Sequence, residues 1–364
     1  MTLIAHDYFA IRGGGERLAL ELASELGAQL LFGYRTADSY GAELFPNGSV
    51  DLNLPSSLRR RGFRVPALAI AFRRQQELVA GHDIRIFSGS YAPFAAPDAD
   101  SPGRNIYYCH TPPRFLYDQR DFFTAQGSPL RQFGATVLTA WFQRGYQRAL
   151  SRMHLIVANS ETVRSRIKRY LGHDSTVVFP PVDTDGFYWR ESQGYYLSTA
   201  RLSALKRVET IINAFLTMPD KTLVVASGGD EADALRARVG DAPNIRFTGW
   251  ASESELRQLM AGTIATIYVP VDEDFGMSPV ESMAAGKPVI GVAEGGLLET
   301  VLDGETGVLL PPRFTAVDLA HAVNCMTPAL ALTMRAACEQ RARLFSRARF
   351  VDGMQRAIET AQAK

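Results

Sequence analysis

A chain of 364 residues with 46% hydrophobic and 21% charged residues has room for two hydrophobic cores and too much apolar content for wholesale disorder. A formal net charge of +1 with no accompanying recognition motif argues against a nucleic-acid binder, and no apolar run approaches the roughly 18 residues of a membrane-spanning helix. Cys109, Cys325 and Cys338 are widely spaced with no C-x-x-C pair, which fits packed thiols and excludes a disulfide framework or a zinc site.

In chain order, short apolar runs alternate with helical patterns, the signature of parallel sheets with crossover helices. Thr2–His6 reads as a first buried strand. Asp7 follows too early for a signal peptide, so the cytoplasm is the expected compartment. Gly13, Gly14 and Gly15 should turn the chain into a helix over Glu16–Leu26. Further strands are expected at Gln29–Gly33, Ile84–Ser88, Asn105–His110, Leu155–Asn159 and Thr176–Phe179, with Asn159-Ser160 capping a helix that runs to Leu171. Phe179-Pro180-Pro181-Val182-Asp183 reads as a boundary, because paired prolines end a strand and stiffen the crossing to a second module. Strands at Tyr195–Thr199, Thr222–Ala226, Ile245–Thr248, Ala265–Val269, Pro288–Val292 and Gly307–Leu310 then repeat the pattern. A helical tail follows Pro311-Pro312, interrupted near Phe345-Ser346. The expected domains are 1–183, 184–345 and a terminal helix at 346–364, whose packing face should hold Phe350, Met354 and Ile358.

Charge is uneven along this plan: residues 1–182 hold 21 Lys and Arg against 15 Asp and Glu, and the remainder holds 18 against 23. The excess concentrates between Arg59 and Arg74, where arginines flank apolar and aromatic residues. Such a stretch suits peripheral association with an anionic membrane; it also suits ordinary helices with solvated arginines.

The most informative segment runs from Glu273 to Ile290. Ser278, Pro279 and Glu281 have the spacing of an N-cap, a proline at the first helical position and an N3 acid, so a helix should begin there, with Glu273 in the preceding loop. Main-chain N–H groups around Gly276 to Val280, with the positive end of the helix dipole, suit an anion such as a diphosphate. The plainer reading is a capping box beside a solvated acid. Arg201 and Lys206 follow a strand and suit the same diphosphate, the guanidinium as a fork and the ammonium as a point charge, unless they pair with Glu209. Gly13 to Gly15 follow the first strand, where backbone can approach a phosphate. Leu18 stands where a dinucleotide fingerprint needs glycine or alanine. His110, in Cys109-His110-Thr111-Pro112-Pro113-Arg114, lies at the carboxyl end of a strand, where open α/β sheets build sites; otherwise it is a structural hydrogen-bonder. Asp98-Ala99-Asp100, Asp183-Thr184-Asp185 and Asp272-Glu273-Asp274 are rejected as metal sites: two fall in Pro-rich or boundary loops and the third overlaps the segment above. No H-x3-H spacing supports zinc chemistry.

Glu273 and Glu281 with Phe275-Gly276 between them, followed by Met283-Ala284-Ala285-Gly286-Lys287-Pro288, resemble the family 4 glycosyltransferases. So does the pair Arg201 and Lys206, although Ala200 stands where the family usually has glycine. His-Thr-Pro-Pro-Arg, Gly-Gly-Glu-Arg and Pro-Pro-Val-Asp most resemble bacterial mannosyltransferases of polysaccharide assembly. The resemblance implies an α/β GT-B fold: two Rossmann-like doubly wound domains facing a cleft, with the last helix crossing back to the first. It implies a retaining transfer from GDP-mannose to a glycan or lipid-linked acceptor, with no cofactor and no metal. By the same resemblance Glu281 holds the ribose hydroxyls, Glu273 and the backbone of Phe275, Gly276, Met277 and Ser278 hold the sugar, Arg201 and Lys206 stabilise the departing diphosphate, Gly13 to Gly15 line the cleft, and His110 contacts the sugar. A UDP-sugar transferase, a UDP-N-acetylhexosamine 2-epimerase and a non-catalytic sugar-nucleotide binder are the alternatives.

Overall fold

The computed structural model describes residues 1–11, 13–60, 62–118 and 128–363; Arg12 of the glycine loop, Arg61 of the arginine-rich stretch and Lys364 lie outside the described residues. Two compact units partition the chain: residues 1–179 with 351–364, and residues 180–350. The junction therefore falls between Phe179 and Pro180, ahead of the expected Asp183–Thr184 boundary, and the chain rejoins the first unit after Phe350.

In the first unit, β1 (Thr2–His6), β2 (Gln29–Phe32), β3 (Val50–Asp51), β4 (Ile84–Ser88), β5 (Arg104–Cys109), β6 (Leu155–Ala158) and β7 (Thr176–Val177) form one sheet. Every pairing is parallel, in the order β3-β2-β1-β4-β5-β6-β7. The central strands are buried along nearly their whole length, as expected of parallel strands covered on both faces. The helix Glu161–Leu171 shows why the local sequence folds as it does. Ser160 accepts the Val163 N–H at 3.0 Å to start it, and Gly172, at φ +74°, supplies the left-handed stop.

The second unit repeats the plan with β8 (Tyr195–Ser198), β9 (Thr222–Val225), β10 (Ile245–Phe247), β11 (Thr266–Tyr268), β12 (Val289–Val292) and β13 (Gly307–Leu310), all parallel in the order β10-β9-β8-β11-β12-β13. Each sheet reverses strand order once, between β1 and β4 and between β8 and β11. Outside the carboxyl ends of those strands lie the crevices where open α/β sheets bind ligands.

The helical tail breaks at Thr327 as well as at Phe345-Ser346, and ends in the helix Arg347–Gln362. Met354, Ala357 and Ala361 are its buried face, and the Arg104 Nε donates to the Ala361 carbonyl at 2.9 Å. Phe350 is also buried but belongs to the second unit, and Ile358 is only half-buried, so the packing stripe is shorter and smaller than the i, i+4, i+8 pattern predicts. Among the described residues no helix is long and apolar enough to cross a membrane.

Candidate functional site

At the switch point of the second unit, the chain leaves β8 through Arg201 and makes a 3-10 turn over Ala204–Lys206 before the helix Val208–Leu216. Lys206 Nζ donates to Glu273 Oε2 at 2.5 Å and to the Tyr268 hydroxyl at 2.9 Å, so the ammonium is fixed at the carboxyl end of β11. Burial, followed by the Glu273 charge, pushes the Tyr268 hydroxyl well above its usual range; it stays protonated and neutral. The structure thus brings Lys206 and Glu273 together. Arg201 stands apart, half-exposed and 3.7 Å from Asp230, while Glu209 pairs with Arg238 at 2.7 Å rather than with Arg201 or Lys206.

The next residue, Arg207, adopts a left-handed conformation (φ 51°) that non-glycine residues avoid, and so does Asp272 (φ 48°). Glu294 holds both. Its Oε1 accepts Arg207 Nη1 and Nη2 at 3.1 and 3.0 Å, and its Oε2 accepts the Asp272 N–H at 3.0 Å. Strain of this kind persists only where surroundings over-determine it, and it clusters at functional sites. Arg207 and Glu294 were not assigned from sequence; an acid followed by Gly295-Gly296, between a strand and a helix, was the available signal.

The expected cap is corrected by the structure. The helix spans Met277–Ala284, its N-cap is Gly276 at φ +88°, and Ser278 and Pro279 lie inside the first turn. Pro279 is tolerated there because the first turn has no intrahelical acceptor for its missing N–H. Glu281 then falls beyond N3 and closes no capping box; it sits half-buried, close enough for its charge to raise the Tyr268 hydroxyl further. Phe275 is buried with its ring against Phe345 (centroids 5.4 Å apart), and its main chain packs against Gly296. Gly295 and Gly296 brace the loop from behind. The Gly296 N–H donates to the Glu273 carbonyl at 2.8 Å, and a β-carbon on Gly296 would lie 2.4 Å from the Phe275 Cα.

In the first unit, the carboxyl ends of β1, β4 and β5 bring His6, Ser88 and His110 together. Ser88 Oγ lies 3.0 Å from His6 Nδ1 and 2.8 Å from His110 Nε2. A hydroxyl has one proton, so between two neutral rings it donates to one and accepts from the other, which couples the two tautomers to each other. Asp7 accepts main-chain N–H groups from Ser90, Tyr91 and Ala92 at 2.6, 2.7 and 2.8 Å, yet burial raises its carboxyl to about 6; burial also raises Glu16 to about 7. The expected glycine loop is tighter than a loop. Gly13 is the N-cap, and Gly14 and Gly15 are already helical, in the helix Gly14–Glu25. A β-carbon on Gly15 would lie 3.5 Å from His110 Cε1, so the glycine lets the helix start lie against the imidazole.

Burial lowers His6 to about 3, helped by the nearby His110, and lowers His110 to about 4. Between pH 6.5 and these values the unfolded chain binds protons that the folded chain refuses. Stability therefore falls as pH falls through that window, by about 2 kcal/mol at pH 5 for His6, with His110 acting in the same sense. Urea unfolding of the wild type and His6→Asn at pH 7 and pH 5 should show a smaller pH-dependent loss in the variant. Equal losses would show that His6 is not held neutral.

Among the described residues, no group of three or more His, Cys, Asp or Glu side chains is arranged to hold a metal. Residues 12–185 match the family described as Glycosyltransferase Family 4, and residues 186–344 match Glycosyl transferases group 1. An alpha-1,3/1,6-mannosyltransferase (ALG2) of Dictyostelium discoideum is 48% identical over 73 residues, 20% of this chain and 17% of that protein. A D-inositol 3-phosphate glycosyltransferase of Mycobacterium sp. (strain JLS) is 26% identical over 225 residues, 56% of this chain and 51% of the relative, so the chain spans about half the length of this relative and less of the other. Among solved structures, HepE of Anabaena in complex with UDP and glucose superposes with a TM-score of 0.73 over 99% of both chains at 18% identity. Sucrose-phosphate synthase of Thermosynechococcus elongatus gives 0.78 over 100% of this chain and 99% of that one, also at 18%. At these identities the likeness is one of fold.

Proposed function

We propose that this chain, which belongs to the family 4 glycosyltransferases of GT-B fold, transfers mannose from GDP-mannose to a hydroxyl of a glycan or lipid-linked acceptor with retention of configuration. The observation that carries this reading is Lys206 held by Glu273 and Tyr268 at a switch point, beside the start of the helix Met277–Ala284. An ammonium and main-chain N–H groups placed together are a diphosphate cradle whose attraction grows as the leaving phosphate gains charge. Arg201, tethered only loosely, adds a fork to the same anion. Glu273 orients the sugar with the main chain of Phe275 to Ser278, Glu281 takes the ribose hydroxyls, and His110 contacts a sugar hydroxyl.

In the proposed step the bond between the sugar C1 and the phosphate oxygen breaks as the acceptor oxygen bonds C1 on the same face. The acceptor's proton passes to the departing phosphate, and no metal takes part. The similarity to the Dictyostelium mannosyltransferase supports mannose as the transferred group. A lipid-linked acceptor places the enzyme at the periphery of an anionic membrane.

Calorimetric titration with GDP, UDP and ADP, each with and without EDTA, tests the donor. Tight, EDTA-insensitive GDP binding is expected; a preference for UDP would overturn the donor and leave the cradle, and no binding by any of the three would overturn the site. Arg201→Ala should weaken GDP about tenfold while changing guanosine less than about twofold, as befits loss of a charged hydrogen-bond donor to phosphate. Equal effects on both ligands would remove Arg201 from the cradle.

A further inference from the structure

Arg59, Arg64 and Arg73 of the arginine-rich stretch do not share one patch. Arg59 stacks over the Tyr34 ring at 4.4 Å and its Nε donates to the Leu54 carbonyl at 2.7 Å; Arg64 lies over the Tyr8 ring at 5.4 Å. Those two charges serve the aromatic packing of the first unit. Arg73 instead joins residues some seventy positions away. With Arg144, Arg148 and Arg152 it surrounds a cavity of about 280 Å³ between the helices Arg64–Arg73 and Pro129–Leu150, floored by Ala69, Phe94 and Ala149.

Three features of this groove point to one ligand chemistry. First, no carboxylate lines it. Arg152 is neutralised by Asp98 at 2.9 Å, but among the described residues no acid pairs with Arg73, Arg144 or Arg148, so three guanidinium groups face a common space without a counter-charge. Second, a guanidinium fork matches phosphate oxygens, and an anion there relieves the mutual repulsion. Third, the arginines continue an apolar stripe. At 100° per residue, Phe133, Val137, Trp141, Arg144 and Arg148 fall within an arc of about 80° on the long helix. Phe133 is 68% exposed, Val137 54% and Trp141 43%, with Ile70 at 43% on the facing helix. A soluble phosphate would engage the arginines and leave that stripe in water. A bilayer engages both: phosphate headgroups at the arginine end, and the interfacial boundary, where tryptophan and phenylalanine prefer to sit, along the rest.

We propose that this groove docks the first unit on an anionic phospholipid surface, with headgroup phosphate among Arg73, Arg144 and Arg148 and with Trp141 and Phe133 inserted at the headgroup boundary. The proposal deepens the lipid-linked-acceptor reading above by locating its membrane contact, and its test does not depend on sugar transfer.

The full chain should sediment with vesicles of equimolar phosphatidylcholine and phosphatidylglycerol at low salt, and not with phosphatidylcholine alone. Arg144→Gln/Arg148→Gln should lower that partitioning about thirtyfold, from about 1 kcal/mol per arginine, with GDP affinity unchanged as the check that the variant is folded. In a Trp189→Phe/Trp250→Phe background Trp141 is the sole tryptophan, and its emission should shift to the blue on vesicle addition. Unaltered partitioning by the double variant, no binding by the wild type, or equal binding to phosphatidylcholine would each overturn the proposal. So would saturation of the groove by inorganic phosphate without any vesicle binding, which would make it a soluble-anion site. Vesicle binding without nucleotide binding would sink the transferase reading and leave the groove standing.

Discussion

Glu273→Ala is expected to lower kcat for mannose transfer by about a thousandfold or more while leaving GDP affinity within about threefold of the wild type. GDP lacks the sugar that Glu273 is proposed to orient, so its binding should lose only the indirect benefit of a well-placed Lys206. That benefit is limited, because Lys206 keeps its hydrogen bond to the Tyr268 hydroxyl at 2.9 Å when the 2.5 Å contact to Glu273 is gone. Glu273→Gln should fall between the two enzymes, since the amide keeps an acceptor but no charge. Steady-state kinetics with GDP-mannose and GDP calorimetry on the same preparations check this. A tenfold or greater loss of GDP affinity alongside the loss of rate would show instead that Glu273 acts through Lys206 on the diphosphate.

The second large effect is steric. Gly296 has an ordinary helical φ of −64°, so alanine is conformationally acceptable there. Its β-carbon is not: it would lie 2.4 Å from the Phe275 Cα and 2.7 Å from the Phe275 nitrogen and oxygen. Backbone atoms cannot rotate away as a side-chain tip can. The loop from Glu273 to Gly276 must move, the 2.8 Å bond from the Gly296 N–H to the Glu273 carbonyl must stretch, and the start of the helix Met277–Ala284 moves with it. Gly296→Ala should therefore cost about 2 kcal/mol of stability and weaken GDP binding at least about tenfold. Gly304→Ala is the control. Its φ is +78° with nothing within 4 Å of the added carbon, so it should cost about 1 kcal/mol through conformation alone and leave binding intact. Urea midpoints and GDP titrations of both variants decide it; wild-type affinity in Gly296→Ala would mean that the loop is not part of the nucleotide site.

What could be read along the chain, and what could not, divides by range. Strands buried on both faces announce themselves as apolar runs, and the flanking strand-and-helix rhythm also marks the short edge strands β7 and β10 to within a residue or two. β3, two half-buried residues at a sheet edge, carries no such run. The motif around Glu273 marked the right loop, but Ser278 looked like a cap because spacing alone cannot show that Gly276 has already turned the chain at positive φ. Contacts between distant positions left no local trace. His6 and Ser88 are 82 residues apart, Arg207 and Glu294 are 87 apart, and each pair meets only because parallel strands deliver their carboxyl ends to one edge. The arginine-rich stretch shows the converse: charges adjacent in sequence were sorted by the fold into aromatic packing and an open groove.

The final helix imposes an order on biosynthesis. Residues 351–364 complete the first unit: Met354 and Ala361 are fully buried, Gly353 sits against Val178 where a β-carbon would come within 2.8 Å, and Arg104 waits for the Ala361 carbonyl. A ribosome moving at about 5–20 residues per second must translate all of the second unit before it delivers this segment, an interval of roughly 10–30 s. Throughout that interval the nascent first unit carries an uncovered apolar face beside β5 and β7. That face is a ready handle for chaperones until the segment after Phe350 emerges to cover it.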